Sequence, residues 1–205
     1  MFITLEGGEG AGKSTQAALL ADALCARGLP VLRTREPGGA PGAELLRGLL
    51  LGGTTDWSQR AETLLHFAAR AEHVEKTIRP ALAAGMWVVC DRFYDSTLAY
   101  QGYGQGADMG FIQALIGLVG LTPDLTIVLD VPDAVGAGRL RGRGGPTDRY
   151  ERLDAAFHTR VNAGFRTIAA AAPDRCVVVP AHQTIDAVHA AVIAAIDRRA
   201  TGGRR

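Results

Sequence analysis

The residues Gly7–Ser14 constrain the fold of this 205-residue chain more than any other stretch. They read GGEGAGKS and match the phosphate-loop pattern G-x-x-x-x-G-K-[S/T] at every defined position. A short apolar, β-prone run, Phe2–Leu5, precedes them, and Thr15–Leu24 follows with helical periodicity. Because a strand, a glycine-rich turn and a helix in this order are the context that such a loop requires, the motif predicts a nucleoside triphosphate site.

The residue types in the loop fit this chemistry. Glycines reach backbone conformations that let successive N–H groups turn inward around phosphate oxygens, and the following helix adds the positive end of its dipole. Lys13 is expected to reach the β- and γ-phosphates, and the Ser14 hydroxyl is expected to bind Mg2+. The alternative is a glycine-rich turn that binds nothing, and the intact flanks argue against it.

Length and composition predict one globular domain spanning residues 1–205. Hydrophobic residues make up 47% of the chain, which is ample material for a single buried core. The 22 basic and 21 acidic residues give a formal charge of +1, and this balance argues against a broad nucleic-acid surface. The most apolar predicted helix, Ile185–Ile196, is too short to cross a bilayer, so we expect no membrane attachment.

The cysteines and the start of the chain bear on its compartment. Cys25, Cys90 and Cys176 are far apart, odd in number and in apolar surroundings, so we expect buried free thiols in a reducing compartment. Met1 leads directly into the first predicted strand, which leaves no room for a signal peptide. These features predict a cytoplasmic location.

Apolar runs alternate with helical patterns along the chain. Five runs predict strands, at residues 2–5, 31–34, 87–91, 125–129 and 176–179. Helices are predicted at residues 14–27, 43–51, 59–84, 95–101, 109–119, from 134, at 150–172 and at 184–199, before a frayed tail at about 200–205. Pro80 is expected to interrupt the long helix, and Asp95 to cap the short one. Continuous apolar strands between helices predict an α/β fold of three layers, with a five-stranded parallel sheet flanked by helices.

Polar residues follow several of the predicted strands. In a parallel sheet ligands bind beyond the carboxyl ends of the strands, where the phosphate loop, Arg35 and Arg92 are expected to meet. Residues 88–91 form an apolar run that ends in Asp91, as in a strand whose acid orients Mg2+ together with the loop hydroxyl. Asp130 ends a similar run and is the rival, but the basic neighbour Arg92 favours Asp91.

The long predicted helix carries two stripes. Residues with three–four spacing that are mainly apolar should be buried, namely Leu64, Phe67, Ala71, Val74 and Ile78. A second, polar stripe consists of Glu62, His66, Arg70 and His73. A solvated face and the wall of a nucleotide pocket are equally compatible with this polar stripe.

Arginines and glycines are concentrated before the next helix. The arginines are Arg139, Arg141, Arg143, Arg149 and Arg152, and Gly142, Gly144, Gly145 and Pro146 lie among them. The segment at about 139–150 is either a solvated basic loop or a small arginine-rich lid that closes over triphosphate. Glycine hinges beside arginines favour the lid.

Taken together, these motifs resemble the bacterial thymidylate kinase family over nearly the whole chain. The matching stretches are Glu6–Thr15, Thr34–Gly39, Asp91–Thr97, Ala99–Gly102, Pro123–Thr126 and Asp148–Glu151. The phosphate loop alone is shared by many functions, whereas the combination of the second and third stretches is specific to this family. The resemblance implies a P-loop kinase that transfers the γ-phosphoryl group of ATP to dTMP, with Mg2+ as cofactor, in a homodimer paired through helices.

The resemblance also assigns site residues. ATP is expected on Gly7, Gly8, Glu9, Gly10, Ala11, Gly12, Lys13, Ser14 and Thr15. The residues expected to contact dTMP are Glu9, Arg35, His66, Arg70, Arg92, Ser96, Thr97, Tyr100 and Gln101. Ser14 and Asp91 are expected to serve Mg2+. The expected catalytic residues are Lys13, Arg92, Arg143 and Arg149.

Individual roles follow from the same resemblance. Three arginines are expected to hold the acceptor phosphate, namely Arg35, Arg70 and Arg92. Glu9 is expected to reach the deoxyribose 3′-hydroxyl, and Tyr100 to crowd the 2′ position and so disfavour ribonucleotides. Ser96 and Thr97 are expected to face the base.

Two positions depart from the family pattern. Many relatives place a phenylalanine where this chain has His66, so we expect His66 to take the place that stacks on the base. Gly10 stands where eukaryotic-type members carry a loop arginine, and the bacterial type supplies that charge from the lid. Arg143 is the first candidate for this charge and Arg149 the second.

Other functions remain as alternatives. A kinase of a different nucleoside monophosphate is the closest of them. A GTP-dependent switch is disfavoured because no N-K-x-D sequence occurs. A nucleotide-gated nucleic-acid binder built on the basic segment is disfavoured by the near-neutral charge.

Overall fold

A computed structural model describes residues 1–52, 55–144 and 148–202, of which residues 143, 201 and 202 by their backbone alone. The strands are β1 (Phe2–Glu6), β2 (Val31–Arg35), β3 (Trp87–Asp91), β4 (Leu125–Asp130) and β5 (Cys176–Pro180). They form one sheet in the order β2-β3-β1-β4-β5, and every neighbouring pair is parallel. The predicted α/β fold with a five-stranded parallel sheet is therefore confirmed.

Helices connect the strands and cover both faces of the sheet. The first four are α1 (Lys13–Ala26), α2 (Pro41–Leu51), α3 (Gln59–His73) and α4 (Arg79–Ala83). The others are α5 (Tyr94–Thr97), α6 (Met109–Val119), α7 (Asp133–Arg143), α8 (Ala155–Ala171) and α9 (Ile185–Gly202). Two π-helical stretches, Val74–Ile78 and Leu98–Gly104, follow α3 and α5.

Alternate strand residues enter two different cores. Ile3 and Leu5 of β1 pack with Leu20 of α1 and Val192 of α9 on one face of the sheet. Phe2 belongs to the second core, on the other face, together with residues of α3, α6 and α8. Because successive side chains of a strand point to opposite faces, one apolar strand serves both cores, which is the reason for its continuous apolar run.

The long helix predicted over residues 59–84 is continuous but not uniform. α3 passes into the π-helical stretch Val74–Ile78 before α4 begins at Arg79. Pro80 stands in the first turn of α4. A proline cannot donate to the carbonyl four residues before it, so a change of hydrogen-bond pattern just ahead of Pro80 is favoured.

Asp95 is not an N-cap, and this prediction was wrong. α5 begins at Tyr94, so Asp95 lies inside the helix, and its side chain is fully buried. Its carboxylate accepts two hydrogen bonds from Arg175, from Nη1 at 2.6 Å and from Nη2 at 2.9 Å. A buried carboxylate needs such a partner, and a paired arginine fork supplies it. The partner is distant in sequence, so no local pattern reveals it.

Several boundaries also differ from the prediction. The helix predicted from residue 150 begins at Ala155, because the Asp154 side chain accepts from the backbone N–H of Phe157 at 2.7 Å and caps it there. α7 continues to residue 143, so the first part of the predicted lid segment is helical. α9 extends through residue 202, beyond the predicted start of the frayed tail, and residues 203–205 lie outside the described part.

The cysteine prediction is confirmed for two of the three residues. Cys90 and Cys176 are buried and free, whereas Cys25 is free but exposed on α1, so its predicted burial was wrong. Cys25 occupies the outer face of α1, between the buried positions that face the sheet. Within the described ranges, no helix combines the length and the apolar character needed to cross a bilayer.

Candidate active site

A cavity of about 420 Å³ lies at the carboxyl ends of β1, β2 and β3. The predicted site residues that line it are Glu9, Gly10, Gly12, Lys13, Ser14, Thr15, Arg35, His66, Arg70, Asp91, Arg92, Ser96, Thr97, Tyr100 and Gln101. Gly7, Gly8, Ala11 and Arg149 do not line it, and the side chain of Arg143 is outside the described part. The sheet edge thus brings together residues that are up to 92 positions apart, from Glu9 to Gln101 (101 − 9 = 92).

The loop between β1 and α1 requires glycine for two reasons. Gly10 and Gly12 have φ angles of 71° and 89°, a left-handed conformation that favours glycine. Neighbouring helices also approach the loop closely. A Cβ on Gly8 would lie 2.1 Å from Oδ1 of Asn162 in α8, and a Cβ on Gly10 would lie 2.3 Å from the carbonyl oxygen of Gly136 in α7. The loop therefore packs closely against α8 and against the part of α7 that precedes the predicted lid segment.

Lys13 begins α1 and lies against its own loop. Its Nζ donates to the carbonyl oxygens of Gly7 at 3.1 Å and Gly8 at 2.7 Å. Burial and the nearby Arg92 charge lower the pKa of Lys13 to about 8, although Glu9 opposes this shift. A phosphate group beside Nζ would favour the charged ammonium, so this lysine is suited to binding an anion.

Arg92 has an unusual backbone conformation that aims its side chain across the loop. Its φ of 70° is the only positive value among the described non-glycine residues. Nη2 forms an ion pair with Glu9 at 2.6 Å, and Nη1 donates to Ser96 at 3.1 Å. The guanidinium carbon also lies 4.9 Å from the centre of the Tyr100 ring. Strained backbone of this kind persists where the surroundings hold it, and it is concentrated at functional sites.

Glu9 is the anionic partner in this group. Besides the Arg92 pair, its Oε1 accepts a hydrogen bond from the Tyr100 hydroxyl at 2.7 Å. Burial by itself would raise the pKa of Glu9, but the charges of Arg92 and Lys13 outweigh it and lower that pKa to about 2. Glu9 is therefore an ionised acceptor at the cavity wall.

Ser14 and Asp91 provide the oxygens that a divalent cation needs. The Ser14 hydroxyl donates to Oδ2 of Asp91, although 77 positions separate them. The rival acid Asp130 instead pairs with Arg166 at 2.9 Å. No group of three or more acidic, histidine or cysteine side chains in the described ranges has metal-binding geometry. A hydroxyl and one carboxylate fit Mg2+, which commonly takes its other ligands from water and substrate phosphates.

The polar stripe of α3 faces inward, which excludes a solvated face for these residues. Its four residues are buried, with side chains that are at most 9% exposed: Glu62, His66, Arg70 and His73. Of the predicted apolar stripe, Phe67, Val74 and Ile78 are buried, but Leu64 is 48% exposed and that part of the prediction was wrong. His66 and Arg70 of this stripe line the cavity, whereas Glu62 and His73 are buried behind it. Ion pairs and hydrogen bonds to all four side chains offset the cost of their burial.

Arg70 is held by a buried acid and by two rings. Its Nε donates to Oε2 of Glu36 at 2.7 Å, and its guanidinium carbon lies 4.7 Å from the centre of Phe67 and 5.3 Å from the centre of Phe93. Glu36 in turn accepts from Nδ1 of His73 at 3.0 Å. The stripe thus positions one guanidinium on the cavity wall.

His66 and Gln101 lie together at the same wall. Nε2 of His66 is 2.8 Å from the Tyr150 hydroxyl, and Nε2 of Gln101 donates to that hydroxyl at 3.1 Å. Burial and the charge of Arg70 lower the pKa of His66 to about 3. His66 is therefore a neutral ring at the cavity.

Two arginines stand at the mouth of the cavity. Arg35 pairs with Glu44 at 3.2 Å, and both side chains are exposed. Arg47 of α2 donates to the carbonyl oxygen of Pro37 at 2.7 Å. Burial and the nearby Arg35 charge lower the pKa of Arg47. The pair adds positive charge at this end of the cavity.

The predicted lid arginines are divided between different places. Nη1 of Arg139, on α7, donates to the carbonyl oxygen of Gly10 at 3.3 Å. Arg149 pairs with the buried Glu62 at 2.9 Å and lies 4.0 Å from Asp56, away from the cavity. The Arg139 side chain therefore connects α7 to the phosphate loop. The Arg149 side chain instead contacts Glu62 of α3.

Sequence reasoning gave no role to several cavity residues. They are Glu36, Pro37, Arg47, Leu51, Phe93, Asp148, Tyr150 and Glu151. Arg47 had a usable signal, since it is the only basic residue of α2 and stands among leucines. Tyr150 and Glu36 had none beyond their place in the matched stretches, because their function depends on partners from other parts of the chain.

Comparison with known proteins agrees with this arrangement. The thymidylate kinase family model matches residues 5–192. A thymidylate kinase of Gluconobacter oxydans is 57% identical over 98% of this chain and 96% of its own, and one of Caulobacter vibrioides is 54% identical over 93% of each. The crystal structure of thymidylate kinase from Ehrlichia chaffeensis superimposes with a TM-score of 0.80 at 38% identity, covering 96% of this chain and 98% of that one. The chain belongs to the thymidylate kinase family.

Proposed function

We propose that this protein transfers the γ-phosphoryl group of ATP to dTMP, giving dTDP and ADP. One observation carries the proposal: the phosphate loop and four arginines outside it line the same cavity. The arginines are Arg35, Arg47, Arg70 and Arg92. A protein that binds only one triphosphate has no need of this second group of cations, whereas a kinase must hold a second phosphorylated substrate beside the first.

Repulsion between the substrates gives the physical reason. Two unit charges 4 Å apart repel by about 4 kcal/mol at an effective dielectric of 20. Direct transfer between two anionic nucleotides therefore requires dense positive charge. In the loose transition state of phosphoryl transfer, positioning and electrostatic stabilisation account for nearly all of the catalysis. The acceptor phosphate is already ionised near neutral pH, so we assign no general base.

The donor side is assigned to the loop. The nine residues Gly7–Thr15 bind ATP, with Lys13 on the β- and γ-phosphates and Ser14 and Asp91 serving Mg2+. When bound, Mg2+ would neutralise part of the charge of the phosphates. Ser14 and Asp91 are held together by the hydrogen bond from the Ser14 hydroxyl, and we assign Asp91 a role through water.

The acceptor side is assigned to the walls opposite the loop. Arg35 and Arg92 bind the acceptor phosphate, and Arg70 binds the same nucleotide from α3. The ionised carboxylate of Glu9 accepts a hydrogen bond from the 3′-hydroxyl of the deoxyribose, and the Tyr100 ring crowds the 2′ position. The base is bounded by four side chains, namely His66, Ser96, Thr97 and Gln101.

An arginine of the predicted lid segment, residues 139–150, completes the charge around the transferring group. Arg143 is our first choice and Arg149 the second. In the described structure Arg149 is bound to Glu62, so it would have to leave that partner to reach the phosphates. This cost favours Arg143.

A homodimer paired through helices is part of the proposal. Leu45 and Leu49 on α2 and Leu64 on α3 are 76%, 53% and 48% exposed, although they are large and apolar. α2 and α3 pack against each other, so these leucines are carried by neighbouring helices. An exposed apolar area of this kind is typical of a protein interface. The molar mass of the purified protein, measured by light scattering, tests this prediction: a monomer mass would contradict the homodimer.

The test of the activity is an ADP-release assay with Mg-ATP and a panel of nucleoside monophosphates. We expect dTMP to be preferred over dUMP, dCMP, dAMP, dGMP and the ribonucleotides. A preference for another monophosphate would overturn the assignment of the acceptor. ATP hydrolysis at a rate that does not depend on any monophosphate would overturn the assignment of kinase activity.

A further inference from the structure

We propose that Tyr150 is a positioning residue that sets the hydrogen-bonding state of His66 and Gln101 at the base-binding wall, with Glu62 as its anchor. The inference rests on the proposed function, since it concerns the acceptor pocket. It goes further in assigning a task to two residues, Tyr150 and Glu62, that the reaction itself does not require.

The four side chains form one buried cluster. The Tyr150 hydroxyl donates to Oε1 of Glu62 at 2.8 Å and is 2.8 Å from Nε2 of His66. Nε2 of Gln101 donates both to Glu62 at 2.8 Å and to Tyr150 at 3.1 Å. Glu62 is 1% exposed, Gln101 1% and Tyr150 5%. Hydrogen bonds inside such a cluster are strong in their effect because water does not replace them when they are lost.

The number of hydrogen atoms decides the direction of each bond. Glu62 also pairs with Arg149 at 2.9 Å, which is consistent with an ionised carboxylate that only accepts. Tyr150 has a single hydroxyl hydrogen, and it goes to Glu62. The Tyr150 oxygen must then accept, so Nε2 of His66 carries the hydrogen and Nδ1 carries none. Burial and Arg70 lower the pKa of His66 to about 3, in agreement with this neutral tautomer.

The same count leaves two acceptors at the cavity. Nε2 of Gln101 faces Glu62 and Tyr150, whose oxygens are 2.8 Å apart and share its donation. In the part of the chain that the structure describes, no hydrogen bond reaches Oε1 of Gln101 or Nδ1 of His66, and both residues line the cavity. Tyr150 therefore fixes which edge of each group is offered to a bound base.

His66 makes the Tyr150 hydroxyl necessary, because Nε2 of His66 needs an acceptor. A phenylalanine ring at this position would have no hydrogen to give to Tyr150. The Tyr150 hydroxyl is thus needed for His66 more than it would be for phenylalanine. Removing the Tyr150 hydroxyl should therefore weaken dTMP binding when residue 66 is histidine and have little effect on it when residue 66 is phenylalanine.

A double-mutant cycle tests this dependence. The variants are Tyr150→Phe, His66→Phe and the double variant, with kcat and the KM for dTMP measured at saturating Mg-ATP. We expect Tyr150→Phe to raise the KM about tenfold in the wild-type background, because a buried donor on His66 loses its partner. In the His66→Phe background the same change should raise the KM about twofold or less. The kcat should stay within about threefold in each case, since no group on the transferring phosphoryl is altered.

Controls separate this result from general damage. Tyr94→Phe removes the hydroxyl of another buried tyrosine that does not line the cavity, and it should leave the KM unchanged. Thermal unfolding reports whether each variant is folded. If Tyr150→Phe does not fold, Glu62→Leu takes its place in the cycle, because leucine offers no acceptor to the same hydroxyl.

The outcomes are distinct. Equal fold-changes in KM in the two backgrounds would overturn the positioning role of Tyr150. A fall in kcat without a change in KM would overturn it as well, because it would move Tyr150 to the chemical step. A wild-type protein that does not use dTMP would instead overturn the proposed function, and the same cycle measured with its true acceptor would still decide the inference.

Discussion

Nε of Arg70 donates to Oε2 of Glu36 across 2.7 Å, and both side chains are only 3% exposed. In the described part of the chain, Nη1 of the same guanidinium is buried and has no hydrogen-bond partner. Glu36 is braced on its other oxygen by His73, whose Nε2 is 2.7 Å from the Thr34 hydroxyl. One side of Arg70 is thus fixed within the protein, while Nη1 on the other side keeps hydrogens that no described group accepts.

Replacing Glu36 by glutamine should weaken the binding of dTMP. The amide keeps the shape but loses the charge that orients Arg70, so we expect the KM for dTMP to rise about tenfold and kcat to change by less than about threefold. Steady-state kinetics measure both. Asp197→Asn is a matched control, because it disrupts an exposed Arg–Asp pair with Arg27 at 2.6 Å that lies far from the cavity. An unchanged KM would remove Glu36 from the acceptor pocket.

Replacing Arg92 by lysine should lower kcat about 10³-fold, the low end of what an arginine on a transferring phosphoryl contributes. Lysine keeps the charge but not the fork that binds Glu9 and Ser96 together. Single-turnover measurements with bound dTMP isolate the chemical step. Arg79→Lys, which alters an exposed arginine bonded to carbonyl oxygens at the end of α6, should leave the rate unchanged. A kcat within tenfold of the wild type would contradict a catalytic role for Arg92.

The two candidate lid arginines should differ in what they affect. We expect Arg143→Ala to lower kcat far more than it raises the KM for dTMP. Arg149→Ala should mainly lower the free energy of unfolding, because it leaves the buried Glu62 without its cation. Kinetics and urea unfolding of both variants decide the assignment. A large kcat effect for Arg149 alone would transfer the catalytic role to it.

Replacing Asp91 by asparagine should raise the Mg2+ concentration needed for half-maximal activity by about 10–100-fold, the range found when supporting ligands of a metal site are lost. Chelation of Mg2+ should abolish turnover in the wild type. Asp130→Asn is the matched control, because Asp130 ends β4, the next strand along the chain, but is paired with Arg166. The opposite pattern, with Asp130 sensitive and Asp91 insensitive, would reverse the metal assignment.

Glu6 should make stability depend on pH. It is fully buried at the end of β1, where burial and the nearby Asp95 raise its pKa from 4.5 to about 8. The folded state therefore holds a proton that the unfolded state releases above pH 4.5. Its contribution to stability is complete below pH 4.5 and is lost as the pH rises to about 8.

Urea unfolding at pH 5 to 8 of the wild type and Glu6→Gln measures this contribution. The free energy of unfolding of the wild type should fall relative to that of the variant as the pH rises, since glutamine does not titrate. Parallel pH profiles would show that Glu6 is ionised throughout. The two oxygens of Glu6 accept from the Phe93 N–H and the Ser96 hydroxyl, and glutamine has only one oxygen to do so. The comparison therefore uses the slope of the unfolding free energy against pH rather than its absolute value.

Local patterns were sufficient for the order of the strands and helices and for the phosphate loop. Both depend on residue types within a short stretch: a continuous apolar run, a three–four-residue period, or a glycine-rich loop that ends in a lysine. Because parallel strands end at one edge of the sheet, the patterns also predicted that the phosphate loop, Arg35 and Arg92 meet there. Other cavity residues, namely Ser96, Thr97, Tyr100 and Gln101, were assigned through the family resemblance. The predictions for Asp95 and Leu64 were wrong for different reasons. Asp95 is buried because it pairs with the distant Arg175, and Leu64 is exposed because no described element covers its face of α3.

By itself, then, the sequence determined the fold class, the triphosphate loop and the family, since these depend on residue type and spacing along the chain. Only the tertiary structure decided that the polar stripe of α3 is buried, that Asp91 rather than Asp130 meets Ser14, and that Tyr150 joins His66 to Glu62. Each of these depends on which side chains from distant segments come within hydrogen-bonding distance in a place closed to water. Periodicity cannot supply that information, because a buried ion pair and a solvated one have the same pattern in sequence.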